Sequence, residues 1–289
     1  MAEYTLDKDQ KAFAFDASIP PVLEIDPGDT VTFQTGDAAY FRLSNGESVG
    51  DIGLENFNAV TGPVYVRGAQ PGDALRIEIL DIQITRAWSV WLPDFGGLGA
   101  KTKEMRVMQT PIENGRARIS ESLTVPVEPM IGCIGVAPAE GKGSTFMPAY
   151  PFGGNMDLRE MSPGTTLYLP VQVPGGLLSM GDLHAAMGTA EPTWVSLEAS
   201  GQATLRISLE KNFPLNYPRL RVGNKTYCLG MGNSFDESYQ NALNEAYDLL
   251  TTQHRLDPFV AYAYISARVG MQFGGPSGFI VMAVVPDMD

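Results

Sequence analysis

Pro21-Val-Leu-Glu-Ile-Asp26-Pro-Gly-Asp29-Thr-Val-Thr-Phe-Gln-Thr35 reads as a strand, a reversal and a second strand. Proline presets the dihedral at the second turn position and glycine accepts the positive one at the third, so the chain folds back between residues 22–25 and 30–35. The same grammar returns at Gln70-Pro-Gly-Asp73, after which Leu75, Ile77 and Ile79 alternate with Arg76 and Glu78. That alternation marks a half-buried strand. Ser162-Pro-Gly-Thr165 leads into a third such segment, residues 167–173, which Pro174-Gly175 closes. The turns are unevenly spaced, so they express repeated turn chemistry and not a sequence repeat. With 31 glycines and 21 prolines in 289 residues, the inference extends to the whole chain: many turns, many short strands, a β-rich fold.

The period changes in the last quarter. Ser234 with Glu237 forms a candidate capping box, and Tyr239, Ala242, Leu243, Ala246 and Leu250 then recur at helical spacing, which predicts a helix over residues 236–252. Asp257-Pro258 supplies a cap and a first-turn proline for a second helix that stops near Gly270. Residues 279–285 read as a last, buried strand. The layout is a β-rich body over residues 1–212, carrying the candidate site, and a small α+β region over 213–289, with the boundary at residues 213–224.

Composition narrows the function. A net charge of −13 argues against a phosphate-backbone partner, since nucleic-acid affinity rests on clustered Lys and Arg. No apolar run reaches the roughly 20 residues a bilayer span needs, and residues 1–9 are polar and acidic rather than signal-like, so the expectation is no membrane and a cytoplasmic location. Cys133 and Cys228 stand far apart and read as two reduced thiols.

The chemistry concentrates in two segments. In Gly181-Asp182-Leu-His184-Ala, one of two histidines lies two residues from an aspartate, and Glu191 and Glu198 follow at intervals of seven. Residues two apart on an extended chain face the same side, so Asp182 and His184 can reach one metal ion or one water molecule. The bland alternative is a capping aspartate and a hydrogen-bonded core histidine. Upstream, Tyr150-Pro-Phe-Gly-Gly-Asn155-Met-Asp157 has the form of a glycine-rich loop whose backbone amides can face a developing oxyanion, with Asp157 as metal ligand or proton carrier. The alternative is a turn in which Asn155 and Asp157 satisfy the local backbone.

Other plans fail or stay open. Gly275-Pro-Ser-Gly278 lacks the Gly-x-Ser-x-Gly spacing of a serine nucleophile elbow. Two histidines, His184 and His254, exclude a three-histidine zinc site. Cys228, near Lys225, is either an activated thiol or a buried structural one; Cys133 lies in an apolar run. His254 reads as a helix-end residue. Trp88-Ser-Val-Trp91-Leu-Pro-Asp94-Phe-Gly-Gly-Leu-Gly99 either lines a pocket or is core beside a flexible loop, and Phe146 carries the same two readings.

Taken in order, Thr61-Gly-Pro-Val-Tyr-Val-Arg-Gly-Ala-Gln-Pro-Gly-Asp73, Pro129-Met-Ile-Gly-Cys-Ile-Gly-Val-Ala-Pro138, Gly153-Gly-Asn-Met-Asp157 and Gly181-Asp-Leu-His-Ala185 resemble the acetamidase/formamidase family from about Pro21 to the C-terminus. The resemblance implies a mainly β fold with jelly-roll or β-sandwich-like and barrel-like parts and a small α+β C-terminal region. It implies hydrolysis of formamide, acetamide or related small linear amides to ammonia and a carboxylic acid, with a divalent metal ion, zinc first and calcium or manganese as alternatives. Carried over, Asp182 and His184 are metal ligands, Asp157 is ligand or base, Glu191 is ligand or proton carrier, and Asn155 joins Asp157 and Glu191 as a catalytic residue. A homo-oligomer, a dimer by default, is the expected assembly.

Two departures stand out. Family members commonly continue the His-Ala segment with Gly-Asp-Gly-Glu, where this chain has Gly188-Thr-Ala-Glu191; they often carry a histidine early in the chain, where residues 4–15 here have none. Altered substrate range is one consequence, and a small-ligand-binding protein that keeps the fold without catalysis is the alternative function. A Cys228 nucleophile is a third.

Overall fold

The computed structural model describes residues 1–288. Its frame is one curled, mostly antiparallel 17-stranded sheet. The strands that matter for the site are β1 (Asp29–Thr35), β2 (Val60–Val66), β3 (Ala74–Trp91), β4 (Met130–Gly135), β5 (Gly153–Asn155), β6 (Thr166–Pro170), β7 (Leu178–Ala186) and β8 (Leu197–Glu210). The C-terminal part adds β9 (Arg219–Val222), β10 (Lys225–Gly230), β11 (Gly270–Phe273) and β12 (Val281–Pro286). The fold is mainly β, as its turn chemistry predicts.

The opening stretch forms the reversal read from it. Gly28 has φ +98° and Gly72 φ +94°, the dihedral at the third turn position that excludes other residues. The aspartate that ends each turn closes it: the Asp26 N–H donates to Asp29 (3.1 Å), and the Gln70 N–H donates to Asp73 (2.9 Å). In β1, buried and half-buried residues alternate along all seven positions, so one face enters the core beside Val31 and Phe33.

Two long strands set the curvature. β3 and β8 pair antiparallel from Leu197↔Ser89 to Glu210↔Ala74, with register shifts at Ser200/Gly201 and Thr204/Leu205. Each such irregularity bends and twists the ladder, which curls the sheet into a half-barrel. β3 is 18 residues long, far beyond the alternating pentad that signals it, because Trp88 and its neighbours continue in pairing with β8. Across the concave side, β4 pairs with β5 (Cys133↔Asn155) and with β7 (Met130↔His184), and β7 pairs with β8 (His184↔Glu198). With β4 between β5 and β7, three strands therefore deliver Asn155, His184 and Glu198 to one region.

The C-terminal helices form as α1 (Phe235–Asp248) and α2 (Pro258–Arg268). Asp257 accepts from the Phe259 N–H at 2.9 Å, the cap that its position predicts. Ser234 accepts from the Glu237 N–H at 3.2 Å, but the return bond to the Glu237 carboxylate comes from the Asn233 N–H, so the reciprocal capping box does not form. α1 ends at Asp248, short of the predicted residue 252, and a π-helical turn, Leu249–Gln253, takes over. Within residues 213–289 a separate cluster of Cys228, Ala242, Ala246, Leu250, Val281 and Val285 is buried between the helices and the β10–β12 strands. β9, inside the stretch 213–224, pairs with β6 as well as β10, so the sheet runs through it.

Candidate functional site

Three backbone irregularities bring carboxylates inward. Asp157 (φ +45°), Asp182 (φ +55°) and Glu191 (φ +39°) all adopt the left-handed region, which costs non-glycine residues about 1–2 kcal/mol each. Asn155 lies on strand β5 and not on a loop, and Asp157 follows two residues later; the glycines preceding it pair with β4, because a Cβ on Gly153 would stand 2.4 Å from the Ile134 carbonyl. Asp182 interrupts β7 without ending it. Opposite it, Gly132 leaves space that a Cβ would fill, 2.7 Å from Asp157 Oδ1 and 2.8 Å from Asp182 Oδ2.

The result is one imidazole ringed by four carboxylates. His184 Nε2 lies 3.6 Å from Asp182 Oδ2, 3.6 Å from Glu198 Oε2 and 3.8 Å from Asp157 Oδ1, while Nδ1 lies 4.0 Å from Glu191 Oε1. Every one of these side chains is almost fully buried. Nδ1 shares a 2.6 Å hydrogen bond with Ser196 Oγ, which orients the ring and leaves Nε2 turned to three carboxylates. Asn58 donates to Asp182 Oδ2 (2.9 Å), Tyr40 donates to Glu198 Oε2 (2.9 Å), and the Ser196 N–H donates to Glu198 Oε1 (3.0 Å).

Electrostatics in this cluster are unbalanced. Burial, then the neighbouring acids, pushes Asp157 well above the usual carboxylate range against the pull of His184. Glu191 is raised well above its range by burial and by Asp157, and Glu198 is raised by burial and by Asp182. Burial alone would strip the proton from His184, but Glu198 and Asp182 outweigh it and hold the imidazole well above its usual range. Asp157 Oδ1 and Asn155 Oδ1 are buried without a hydrogen-bond partner among the described residues, a costly state for a polar atom.

A divalent cation fits these residues. Asp157, His184 and Glu191 form one group of converging ligand atoms, and Asp182, His184 and Glu198 form another. Donors placed tetrahedrally about zinc at about 2.0–2.1 Å stand roughly 3.4 Å apart, close to the 3.6–3.8 Å spacing at Nε2. Hydrogen bonds of the kind Asn58, Tyr40 and Ser196 make to Asp182, Glu198 and His184 are what orient the ligands of a metal. The cluster forms the floor of a cavity of about 230 Å³, whose lining among the described residues includes no Lys or Arg.

The structure brings together all five residues singled out in the sequence: Asn155, Asp157, Asp182, His184 and Glu191 line this cavity. Glu198 was visible only as the second step of a seven-residue interval. Tyr40 and Asn58 carried no signal, since they meet the site from 158 and 124 residues away. The activated-thiol reading of Cys228 is corrected: the residue is buried, and burial pushes its thiol up to about 12 despite Arg219. Cys133 is likewise buried, with Sγ donating to the Thr145 carbonyl. The segment 88–99 divides between its two readings, Trp88 lying in the core and Phe95 lining the cavity, which Phe146 also lines. Ala190, where family members commonly have glycine, has φ +64°. Residues 4–15, which lack the early histidine, do not line the cavity.

Comparisons agree with this architecture. The sequence model described as the Acetamidase/Formamidase family matches residues 4–146 and 138–263. A formamidase of Methylophilus methylotrophus is 25% identical over 89% of this chain and 79% of its own length. Among solved structures, an acetamidase from Bacillus halodurans superposes with a TM-score of 0.90 at 32% identity, covering 98% of this chain and 97% of that one. A recombinant predicted acetamidase/formamidase from Thermoanaerobacter tengcongensis gives 0.92 at 28% identity over 98% and 95%.

Proposed function

The chain belongs to the acetamidase/formamidase family, and from that premise we propose that it hydrolyses a small linear amide to ammonia and a carboxylic acid with the help of a divalent cation. The observation that carries the reading is the buried His184 ringed by four carboxylates in a cavity whose described lining has no Lys or Arg to balance them. His184 Nε2, Asp182 and Glu198 would hold the ion, with Asp157 beside it as a further ligand or base; the imidazole favours zinc or manganese over calcium, which prefers oxygen. Such a cation supplies polarisation of a carbonyl and acidification of water to a pKa near about 7.

The chain supplies position and protons. Ser196, Asn58 and Tyr40 fix His184, Asp182 and Glu198 respectively. Glu191, pushed well above its usual range by burial and by Asp157, is the carboxyl group best suited to carry a proton to the departing nitrogen. The Asn155 side chain donates to the Phe146 carbonyl (2.9 Å), which leaves its Oδ1 as an acceptor for a substrate N–H. Bond by bond, water oxygen joins the carbonyl carbon, the C–N electron pair leaves on nitrogen, and nitrogen takes the proton that water gives up.

The test is ammonia release from a panel of amides by protein as purified, after chelation, and after return of zinc or manganese. Activity that falls with the chelator and returns with one ion is the expected result. Asp182→Asn and His184→Ala should lose the ion, and Glu191→Gln should slow turnover by about 10²–10⁴-fold. Full activity in all three would refute the site. Absence of release from every amide would favour the non-catalytic binding protein. The reading also includes a homo-oligomer, supported by Phe259 and Tyr262 exposed on α2, by Phe273 exposed on β11, and by β11 pairing with β12 alone among the described strands. No helix among the described residues is long and apolar enough to cross a membrane, and two free buried cysteines support a cytoplasmic location.

A further inference from the structure

The cavity above the carboxylate cluster has two unlike halves. Its floor is the His184 and carboxylate group; its wall is a continuous chain of aromatic rings. Tyr40, whose hydroxyl is bonded to Glu198, packs against Phe57 at 6.1 Å between centroids. Phe57 meets Phe146 at 6.0 Å, Phe146 stacks on Phe95 at 6.3 Å, and Phe95 meets Trp194 edge to face at 5.8 Å. All five line the cavity, and Trp194 at the outer end is 41% exposed. The row of rings thus runs from the candidate reaction centre to the surface.

Size and polarity disagree with an acetyl or formyl group as the best fit. Allowing each heavy atom at most about the 30 Å³ of a liquid water, acetamide with its four heavy atoms fills no more than roughly 120 Å³ and benzamide with its nine no more than roughly 270 Å³, so that of the two the aryl amide comes nearer to the about 230 Å³ present. A formamide or acetamide held at the floor would leave the aromatic half to water that the rings cannot hydrogen-bond. Apolar surface beside such water is what a ligand gains by covering. Charge narrows the choice further: four carboxylates at the floor and no Lys or Arg in the described lining disfavour an anionic acyl group.

Resting on the amidohydrolase reading, we infer that the substrate is a primary amide with a neutral, apolar and preferably aromatic acyl group, an arylcarboxamide or arylacetamide. Its amide sits at His184 and its ring lies along Phe57, Phe146 and Phe95. The aryl carboxylate and ammonia are the products, water being the only co-reactant. Trp194 and Phe95 are specificity-determining residues that meet the distal part of the acyl group.

The experiment compares kcat/KM for formamide, acetamide, benzamide and phenylacetamide on the metal-loaded protein, with binding of benzoate and acetate followed in parallel by calorimetry. The expected result is a benzamide or phenylacetamide value at least tenfold above acetamide. In Trp194→Ala and, separately, Phe95→Ala, the aryl-to-acetyl ratio should fall by at least tenfold; Trp194 is exposed enough for its removal to leave the fold intact. Acetamide hydrolysed as well as or better than the aryl amides would overturn this inference and leave the amidohydrolase reading standing. If no amide releases ammonia, that reading falls, and the inference is judged by binding: benzoate tighter than acetate by tenfold supports the aromatic site, and equal affinities overturn it.

Discussion

Gly132 shows how much of the site depends on a missing side chain. It faces Asp182 across the β4–β7 ladder, and a Cβ there would sit 2.7 Å from Asp157 Oδ1 and 2.8 Å from Asp182 Oδ2. Gly132→Ala should therefore push the two carboxylates apart and lower affinity for zinc by at least about tenfold; titration of metal-free protein with zinc checks it, and unchanged affinity would remove Gly132 from the account. The cysteines supply the opposite case, residues whose chemistry the fold suppresses. With Cys228 pushed up to about 12 by burial and Cys133 raised well above the usual thiol range for the same reason, neither should react with iodoacetamide at pH 8 in the native protein. Mass spectrometry of the treated, active enzyme tests this, and modification of Cys228 with loss of activity would revive a thiol mechanism. Asp182 and His184 were legible as a pair because period-two geometry puts them on one face. Glu198 was not, because its approach to His184 depends on strand register, which local sequence does not specify.

At the scale of elements, the Pro-Gly-Asp turns hold the sheet through their last residue. Asp73 is buried and accepts from Lys211 Nζ (2.6 Å), the Asn212 N–H (3.0 Å) and the Gln70 N–H (2.9 Å). Burial works to raise its pKa, yet these donors outweigh burial and leave it below its ordinary 3.8. A carboxylate depressed in the folded state contributes stability that is present above the unfolded pKa and lost as pH falls through the folded one. Asp73→Ala should cost about 1–3 kcal/mol at neutral pH by leaving backbone donors unpaired. Urea unfolding at pH 7 and pH 3 measures it: the difference between variant and parent should shrink at the lower pH, and a constant difference would mean the carboxylate's charge is immaterial. Turn positions and the two C-terminal helices were readable because proline, glycine and capping residues act over four residues. The length of β3 was not, because its second half is held by pairing with β8 and with the strand Arg106–Thr110, which overrides local alternation.

For the whole molecule, the central fact is negative charge taken indoors. In metal-free protein Asp157, Glu191 and Glu198 are all raised above their ordinary values of 3.8 and 4.5, and His184 is raised above 6.5. The folded state then binds more protons than the unfolded one, so stability should fall as pH rises from about 4 through neutrality. A bound cation favours the deprotonated ligands and should flatten or reverse that slope, adding about 2.7 kcal/mol when free ion exceeds its dissociation constant a hundredfold. Denaturation at pH 5, 6.5 and 8, with chelator and with zinc, checks both signs; identical slopes in the two series would mean that no ion occupies the cluster. By itself the sequence determined the β-rich class, the reversals, the two C-terminal helices and the family, because turn chemistry, hydrophobic period and ordered motifs are properties of short stretches. Only the tertiary structure decided that Glu198 joins His184, that Tyr40 and Asn58 buttress the cluster, and that five distant aromatic rings form one wall. Those contacts are set by register and curvature across the sheet, and the bulges that create the curvature gain their meaning only when β3, β7 and β8 are paired.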